Sequence, residues 1–217
     1  MTGLELAKYI DHTLLTPEAT SQEITNLCMD ANKFGVAAVC VSPSRLPLPA
    51  GSLSDQIALA CVVGFPSGAH VGSVKAVEAA TAEQNGATEI DMVVNLGLVF
   101  DANWLSLGDE VRTVRQSLSS STKLKVIIES AALSDEQIVM TCKVVVDSGA
   151  DFVKTSTGFH KSGGASVHAV ELMRKTVGPN IGVKASGGIR TRETALEMIA
   201  AGANRLGTSA TQAILAL

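Results

Sequence analysis

One pattern limits what this chain can fold into: short β-branched runs alternate with amphipathic helical stretches, and glycine marks the same junction each time. Helical stretches end at Phe34-Gly35-Val36, Asn85-Gly86-Ala87, Ser148-Gly149-Ala150 and Ala201-Gly202-Ala203, and each leads into an apolar run. A helix C-terminus favours a residue that accepts φ > 0 before the chain reverses, and glycine does so at least steric cost. The intervals between these glycines are 51, 63 and 53 residues, each holding two strand–helix units. One unit therefore takes roughly 27 residues, and 217 residues hold about eight.

The pattern predicts strands over Ile10–Leu14, Val36–Val41, Ala58–Phe65, Glu89–Asn95, Leu124–Ser130, Phe152–Thr157, Gly182–Ser186 and Asn204–Thr208. Helix starts carry chemical marks: Thr16 before Pro17 at a first helical position, and Ser134 with Gln137 three residues on as a capping box. Ile138, Cys142 and Val145 then form one buried stripe. Strict alternation of strand and helix calls for a parallel sheet. A doubly wound open sheet competes, but eight units at this length fit a closed barrel better. The expectation is an α/β fold, a single (β/α)8 TIM barrel occupying residues 1–217 as one domain.

Apolar residues make up 46% of the chain and charged residues 18%, which suits a compact globule. The net charge is −4 and aromatics are only 3%, so neither a polyphosphate-tracking groove nor a base-stacking platform is expected. Glu5, Lys8 and Asp11 interrupt the N-terminal apolar residues, which argues against a signal peptide and for a cytoplasmic protein without a membrane partner. Cys28, Cys40, Cys61 and Cys142 form no CxxC pair and read as reduced, buried thiols.

Strands covered on both faces should read as uninterrupted apolar runs. Three break that rule with Asp91, Lys154 and Lys184. Side chains alternate along a strand, so Lys154 points into the barrel if Val153 packs on the helices. The same logic turns Lys184 inward when Val183 and Ala185 face out, and puts Asp91 on the face of Val93, opposite Ile90 and Met92. At about 6 Å and an effective dielectric of about 20, two ammonium groups repel by roughly 3 kcal/mol, or about two pKa units. With some desolvation, that makes one of them a usable nucleophile toward a carbonyl.

Anion binding is the second signal. Thr155-Ser156-Thr157-Gly158 follows one lysine, Ser186-Gly187-Gly188-Ile189-Arg190 the other, and Gly207-Thr208-Ser209 closes the last strand before a short helix near Ala210. Glycine-rich loops at the C-terminal ends of barrel strands offer backbone N–H groups to a phosphate. His12, His70, His160 and His168 lack metal-ligand spacing, and no metal or cofactor is expected. Cys40 reads as a small core residue, Glu129 as facing the cavity or capping a helix, and Lys75, Lys161 and Arg192 as surface charges.

These residues resemble deoxyribose-phosphate aldolases. The resemblance runs through Ile10 to Leu15, Val62 to Pro66, Glu89 to Asn95, Lys125 to Glu129, Phe152 to Phe159, Val183 to Arg190 and Gly207 to Ser209. It implies a metal-independent class I aldolase that interconverts 2-deoxy-D-ribose 5-phosphate with acetaldehyde and D-glyceraldehyde 3-phosphate. It also implies roles: Lys154 as Schiff-base nucleophile, Lys184 lowering its pKa, Asp91 as general acid/base with Lys184 through water, and Asp11 positioning Lys184. Gly158, Gly187, Gly188, Gly207 and Ser209 match the phosphate-holding segments, beside Thr155, Ile189 and Thr208. Association into a homo-oligomer, dimer or tetramer, is expected on the same ground.

The chain departs from the family at Ala210, where a serine is common, at Thr16 for lysine and at Ser42 for asparagine. Its Ile-Leu-Ala-Leu end lacks the tyrosine some members use, so the tail is expected to play no part in catalysis. Rival readings are another phosphosugar Schiff-base aldolase or transaldolase, and a non-catalytic phosphosugar-binding barrel. The second lysine and Asp91 argue against both.

Overall fold

The structure is a computed structural model that describes residues 1–215; residues 216–217, part of the tail segment discussed above, lie outside the described residues. A short helix α1 (Gly3–Ala7) leads into β1 (Ile10–Leu14), α2 (Ser21–Phe34), β2 (Ala38–Val41) and β3 (Ala58–Val63). Then come α3 (Gly72–Gln84), β4 (Glu89–Val93), α4 (Leu96–Phe100), α5 (Trp104–Gln116), β5 (Lys123–Ile127) and α6 (Asp135–Asp147). The chain continues through β6 (Phe152–Lys154), α7 (Val167–Val177), β7 (Gly182–Ser186), α8 (Arg192–Ala200), β8 (Arg205–Thr208) and α9 (Thr211–Leu215). The strands pair in parallel, each with its neighbours in sequence, and β1 closes on β8. This is the (β/α)8 barrel that the alternation predicts.

All four predicted glycine junctions have positive φ: Gly35 at 63°, Gly86 and Gly149 at 98°, and Gly202 at 111°. The Ser134–Gln137 capping box is present. The first helix-start reading is corrected: Pro17 lies in a turn, and α2 begins at Ser21, capped reciprocally by Thr20 and Glu23. A capping box satisfies two orphan N–H groups, which outweighs a proline's preset φ.

Four strands stop short of their expected C-terminal ends, at Val63, Val93, Ile127 and Lys154. Single ladder bonds continue past three of those ends: Val94 N–H to Ile127 O, Ser130 N–H to Thr155 O, and Thr155 N–H to Lys184 O. Regular pairing ends where the chain turns outward to form the rim. Gly64 and Glu129 take left-handed φ there, at 63° and 56°.

Alternation divides the strands as expected. Ile90, Met92, Val153, Val183, Ala185 and Leu206 belong to the apolar layer between strands and helices. Cys40, Ala60 and Val62 form a separate small apolar cluster. They alternate with Val39, Val41, Cys61 and Val63 of the outer layer, and so face the lumen. The other side of the lumen is charged.

Candidate active site

Register brings the charged residues level. Lys154 is the direct neighbour of Lys184 across β6 and β7, Asp91 of Lys125 across β4 and β5, and Lys184 of Arg205 across β7 and β8. Asp91 Oδ2 accepts from Lys154 at 2.7 Å and from Lys184 at 2.6 Å, while Oδ1 accepts from Lys125 at 2.8 Å. Lys184 also donates to Asp11, and Asp11 is held on its other oxygen by Arg205. Arg205 reaches Glu89 in turn, and Glu89 Oε2 lies 2.6 Å from Lys125.

The contacts close on themselves. Asp91, Lys184, Asp11, Arg205, Glu89 and Lys125 form a ring of alternating sign, in which every charge touches two opposite ones. Lys154 hangs from Asp91 outside that ring, as the surplus cation. Sequence reasoning found two lysines, Asp91 and Asp11, and missed Lys125, Glu89 and Arg205 as parts of the site. The same alternation test would have found Lys125, which sits between the outward Leu124 and Val126, and Arg205, which precedes the outward Leu206.

Electrostatics separates the two lysines as expected, for a broader reason than their repulsion. Burial comes first in pushing the Lys154 ammonium below the ordinary lysine range; Lys184 adds to it, and Asp91 opposes. Burial acts on Lys184 in the same direction, but Asp11 and Asp91 outweigh it and raise that group. Burial would raise the Asp91 carboxyl, yet Lys125, Lys154 and Lys184 together hold it well below the usual carboxylate range. Asp11 is lowered likewise, against its burial, by Lys184, Lys125 and Arg205. Of the three lysines around Asp91, Lys154 is the one displaced toward the neutral amine.

Above Lys154 opens a cavity of ≈ 220 Å³ at the C-terminal ends of the strands. Gly158, Gly187, Gly188, Ile189, Gly207, Thr208 and Ser209 line it, as predicted, and Lys154 reaches it at 3% exposure. Among the described residues, the backbone N–H groups of Gly188 and Ser209 have no protein acceptor, which leaves them for a ligand. Thr157, Ser186 and Arg190, from the segments expected to bind an anion, also line the cavity, as do Thr13, Leu14 and Phe159, which the sequence reading had not assigned to the site.

Thr155 departs from the expectation. Its hydroxyl is fully buried, donates to Ser186 O and accepts from Ser186 N–H, so it braces β6 against β7 instead of facing the cavity. Asp11, Asp91 and Lys184 are not cavity wall either; they sit buried, Asp91 and through it Lys184 and Asp11 behind the Lys154 ammonium. Asp91 meets Lys184 directly, at 2.6 Å.

Glu129 resolves into a brace. Its carboxylate accepts from the Thr157 N–H at 3.2 Å and the Thr157 hydroxyl at 2.6 Å, and that hydroxyl accepts from Phe159 N–H at 3.1 Å. The β6–α7 loop is thereby pinned over the cavity. Three glycines lock it to the next loop: a Cβ on Gly187 would stand 2.9 Å from Gly164 Cα and 3.3 Å from Gly158 Cα.

Lys75 is not a surface charge. It is fully buried between α3, α5 and the end of β4, donating at 2.8 Å to Val93 O and at 2.8 Å to Glu110. Lys161 is exposed and Arg192 partly so, as expected.

A lumen that holds an amine against a shared carboxylate, beneath a glycine-lined cavity at the strand C-termini, defines a (β/α)8 enzyme built for carbonyl chemistry. Comparison with known proteins narrows the class. The sequence profile described as "DeoC/LacD family aldolase" matches residues 5–215. A deoxyribose-phosphate aldolase of Kocuria rhizophila is 55% identical over 99% of this chain and 97% of its own length. A putative deoxyribose-phosphate aldolase of Coccidioides immitis superposes with TM-score 0.94 at 39% identity, over 100% of this chain and 86% of that one. The tetrameric deoxyribose phosphate aldolase of Aeropyrum pernix gives TM-score 0.87 at 33% identity, over 99% and 91%. The chain belongs to the DeoC/LacD aldolases, with the deoxyribose-phosphate aldolases among them.

Proposed function

We propose that this chain reversibly cleaves 2-deoxy-D-ribose 5-phosphate to acetaldehyde and D-glyceraldehyde 3-phosphate through an imine on Lys154. The observation that carries the reading is the position of Lys154: the surplus cation of the cluster, and the lysine that opens on the cavity. The neutral amine attacks C1 of the open-chain sugar, and loss of water leaves the protonated imine. That imine is the electron sink for C2–C3 cleavage. The C3 hydroxyl gives up its proton as glyceraldehyde 3-phosphate departs, and the remaining enamine takes a proton at C2. Hydrolysis then releases acetaldehyde and restores the amine.

Lys184 and Asp91 serve the proton transfers as a charged pair next to the nitrogen, and Asp11 positions Lys184. The N–H groups of Gly188 and Ser209, within the segments Gly158, Gly187–Ile189 and Gly207–Ser209, receive the phosphate. The Ser209 hydroxyl stands beside them, while the Thr208 hydroxyl is spent on Ile189 O and Ala210 N–H, so Ala210 in place of serine leaves a phosphate site that relies on Ser209 and on backbone N–H groups. Residues 1–217 act as one catalytic domain, in keeping with the span of the family match. We further read the protein as a cytoplasmic homo-oligomer. Among the described residues no helix is long and apolar enough to cross a membrane, and one related aldolase is tetrameric.

The test is borohydride trapping with 2-deoxyribose 5-phosphate and peptide mass mapping. A reduced adduct on the Lys154 peptide, absent in Lys154→Met, is expected. An adduct on Lys184 would reverse the two roles, and no adduct with this sugar but one with another phosphosugar would discard the substrate.

A further inference from the structure

Lys125 is a buried charge of the lumen to which the reaction assigns no task. It has no exposed surface and does not line the cavity. A lysine there is a poor structural filler, because an apolar residue would occupy a barrel lumen without the cost of desolvating an ammonium group. Its contacts are specific: Asp91 Oδ1 at 2.8 Å, Glu89 Oε2 at 2.6 Å and Asp11 Oδ2 at 3.8 Å.

The consequence falls on Asp91. A carboxylate has two oxygens, and Lys125 holds one of them, so Lys154 and Lys184 must share the other. With Lys125 present, the ring is balanced without Lys154. Without Lys125, the three carboxylates Asp11, Glu89 and Asp91 would need Lys154 as a counter-charge. Asp91 could then turn a full oxygen to it.

We propose that Lys125 is a positioning residue for imine formation: by occupying Asp91 Oδ1, it denies Lys154 a carboxylate oxygen of its own and keeps the attacking amine available. The proposal rests on the reading of Lys154 as the Schiff-base lysine.

The surroundings are consistent with it. Lys154 faces Asp91 from β4, Lys184 from β7 and Cys40 from β2, and burial raises the Cys40 thiol, so that group stays neutral. Lys125 faces Asp91 and Glu89 from β4, Asp11 from β1 and Lys184 from β7. Asp91 itself meets lysines from β5, β6 and β7, and the Lys125 charge acts on it most strongly of the three. Lys125 stays charged: burial works against its proton, but Asp91, Asp11 and Glu89 outweigh it, and the group is raised.

Two substitutions should move the site in opposite directions. The measurement is the rate of reductive trapping of acetaldehyde on Lys154 of the full chain with cyanoborohydride, followed by peptide mass mapping from mildly acid to alkaline pH, with the exposed lysines of the same protein as the internal reference. Lys125→Met hands Asp91 to Lys154. It should trap about tenfold more slowly than wild type at neutral pH and catch up as the pH rises. Glu89→Gln removes an anion from the ring and enlarges the surplus of positive charge. It should trap faster than wild type on the acid side.

A role confined to packing would change amplitude or stability and leave the pH profiles superimposed. Superimposed profiles in the folded variants, or shifts of the same sign in both, would overturn the proposal. If circular dichroism shows Lys125→Met unfolded, the sign of the Glu89→Gln shift decides alone. A wild-type protein that never traps acetaldehyde on Lys154 sinks the Schiff-base reading itself. A wild type that traps while the variants track it sinks only the role of Lys125.

Discussion

Lys75 and Lys154 are both buried near the C-terminal end of the strands, one outside the barrel wall and one inside it, and burial pushes both toward the neutral amine. Their surroundings then diverge. Lys75 has Glu110 to itself on that carboxylate's Oε1, while Glu110 Oε2 accepts from Asn95 N–H at 3.0 Å. Its stem packs so tightly under Gly64 that a Cβ there would stand 2.8 Å from Lys75 Cε. Lys154 shares a single oxygen with Lys184 and opens on a cavity. Burial alone therefore does not make a nucleophile. A buried lysine with its own counter-ion and no access is a staple, and one with a contested counter-ion and a cavity is placed to meet a ligand, as the proposed function requires.

Exchanging each lysine for methionine tests this most severely. Lys154→Met should abolish imine trapping and lower turnover by at least about a thousandfold, since the covalent route is lost. Its unfolding midpoint in urea should stay at the wild-type value or rise, because the ring remains charge-balanced without it. A large loss of stability would make Lys154 a structural group and dissolve the contrast.

Lys75→Met should show the reverse. Removing one partner of a buried ion pair leaves Glu110 uncompensated and costs about 3–5 kcal/mol in urea unfolding. Acetaldehyde trapping on Lys154 should persist at a rate within about twofold of wild type in the folded protein, too small a change to signal an altered barrier. A slower rate would show that the staple at Val93 O also tunes the charge ring two residues earlier on β4.

The smallest effect is expected at the cavity rim. Gly164→Ala would place a Cβ 2.2 Å from Gly187 O, so the two glycine loops must part. KM for the phosphorylated sugar should rise about tenfold, equivalent to about 1.4 kcal/mol of phosphate binding. Trapping of acetaldehyde, which carries no phosphate, should not change; a parallel loss would tie the loops to the chemistry rather than to the anion.

The glycine-marked alternation was enough to place all eight strands, and two-residue periodicity was enough to turn Lys154, Lys184 and Asp91 inward. It failed at Lys75, for a readable reason. On α3 the buried stripe is Lys75, Ala76, Ala79 and Ala82, while Val74 and Val77 face outward at 51% and 67% exposure. The usual rule would bury the valines and expose the lysine. Only the position of Glu110 on α5 inverts it, and no local pattern reports that position. Thr155 misled similarly, since a hydroxyl beside a glycine-rich loop looks like a ligand donor until the end of β7 is seen to use it.

Alternation, helix stops and the inward turn of isolated charges depend on neighbours within a few residues, so the sequence by itself determined the barrel and the inward-facing place of Lys154 on β6. Which charges meet depends on closure. Asp11 and Arg205 stand 194 positions apart and touch because β1 completes the sheet beside β8. Asp91 faces lysines of three strands because parallel register sets their ends level. The tertiary structure alone decided that six of the seven charges in the lumen cluster balance one another and that Lys154 is the one left over. A Coulomb balance depends on distances through space, and distance along the chain does not report them.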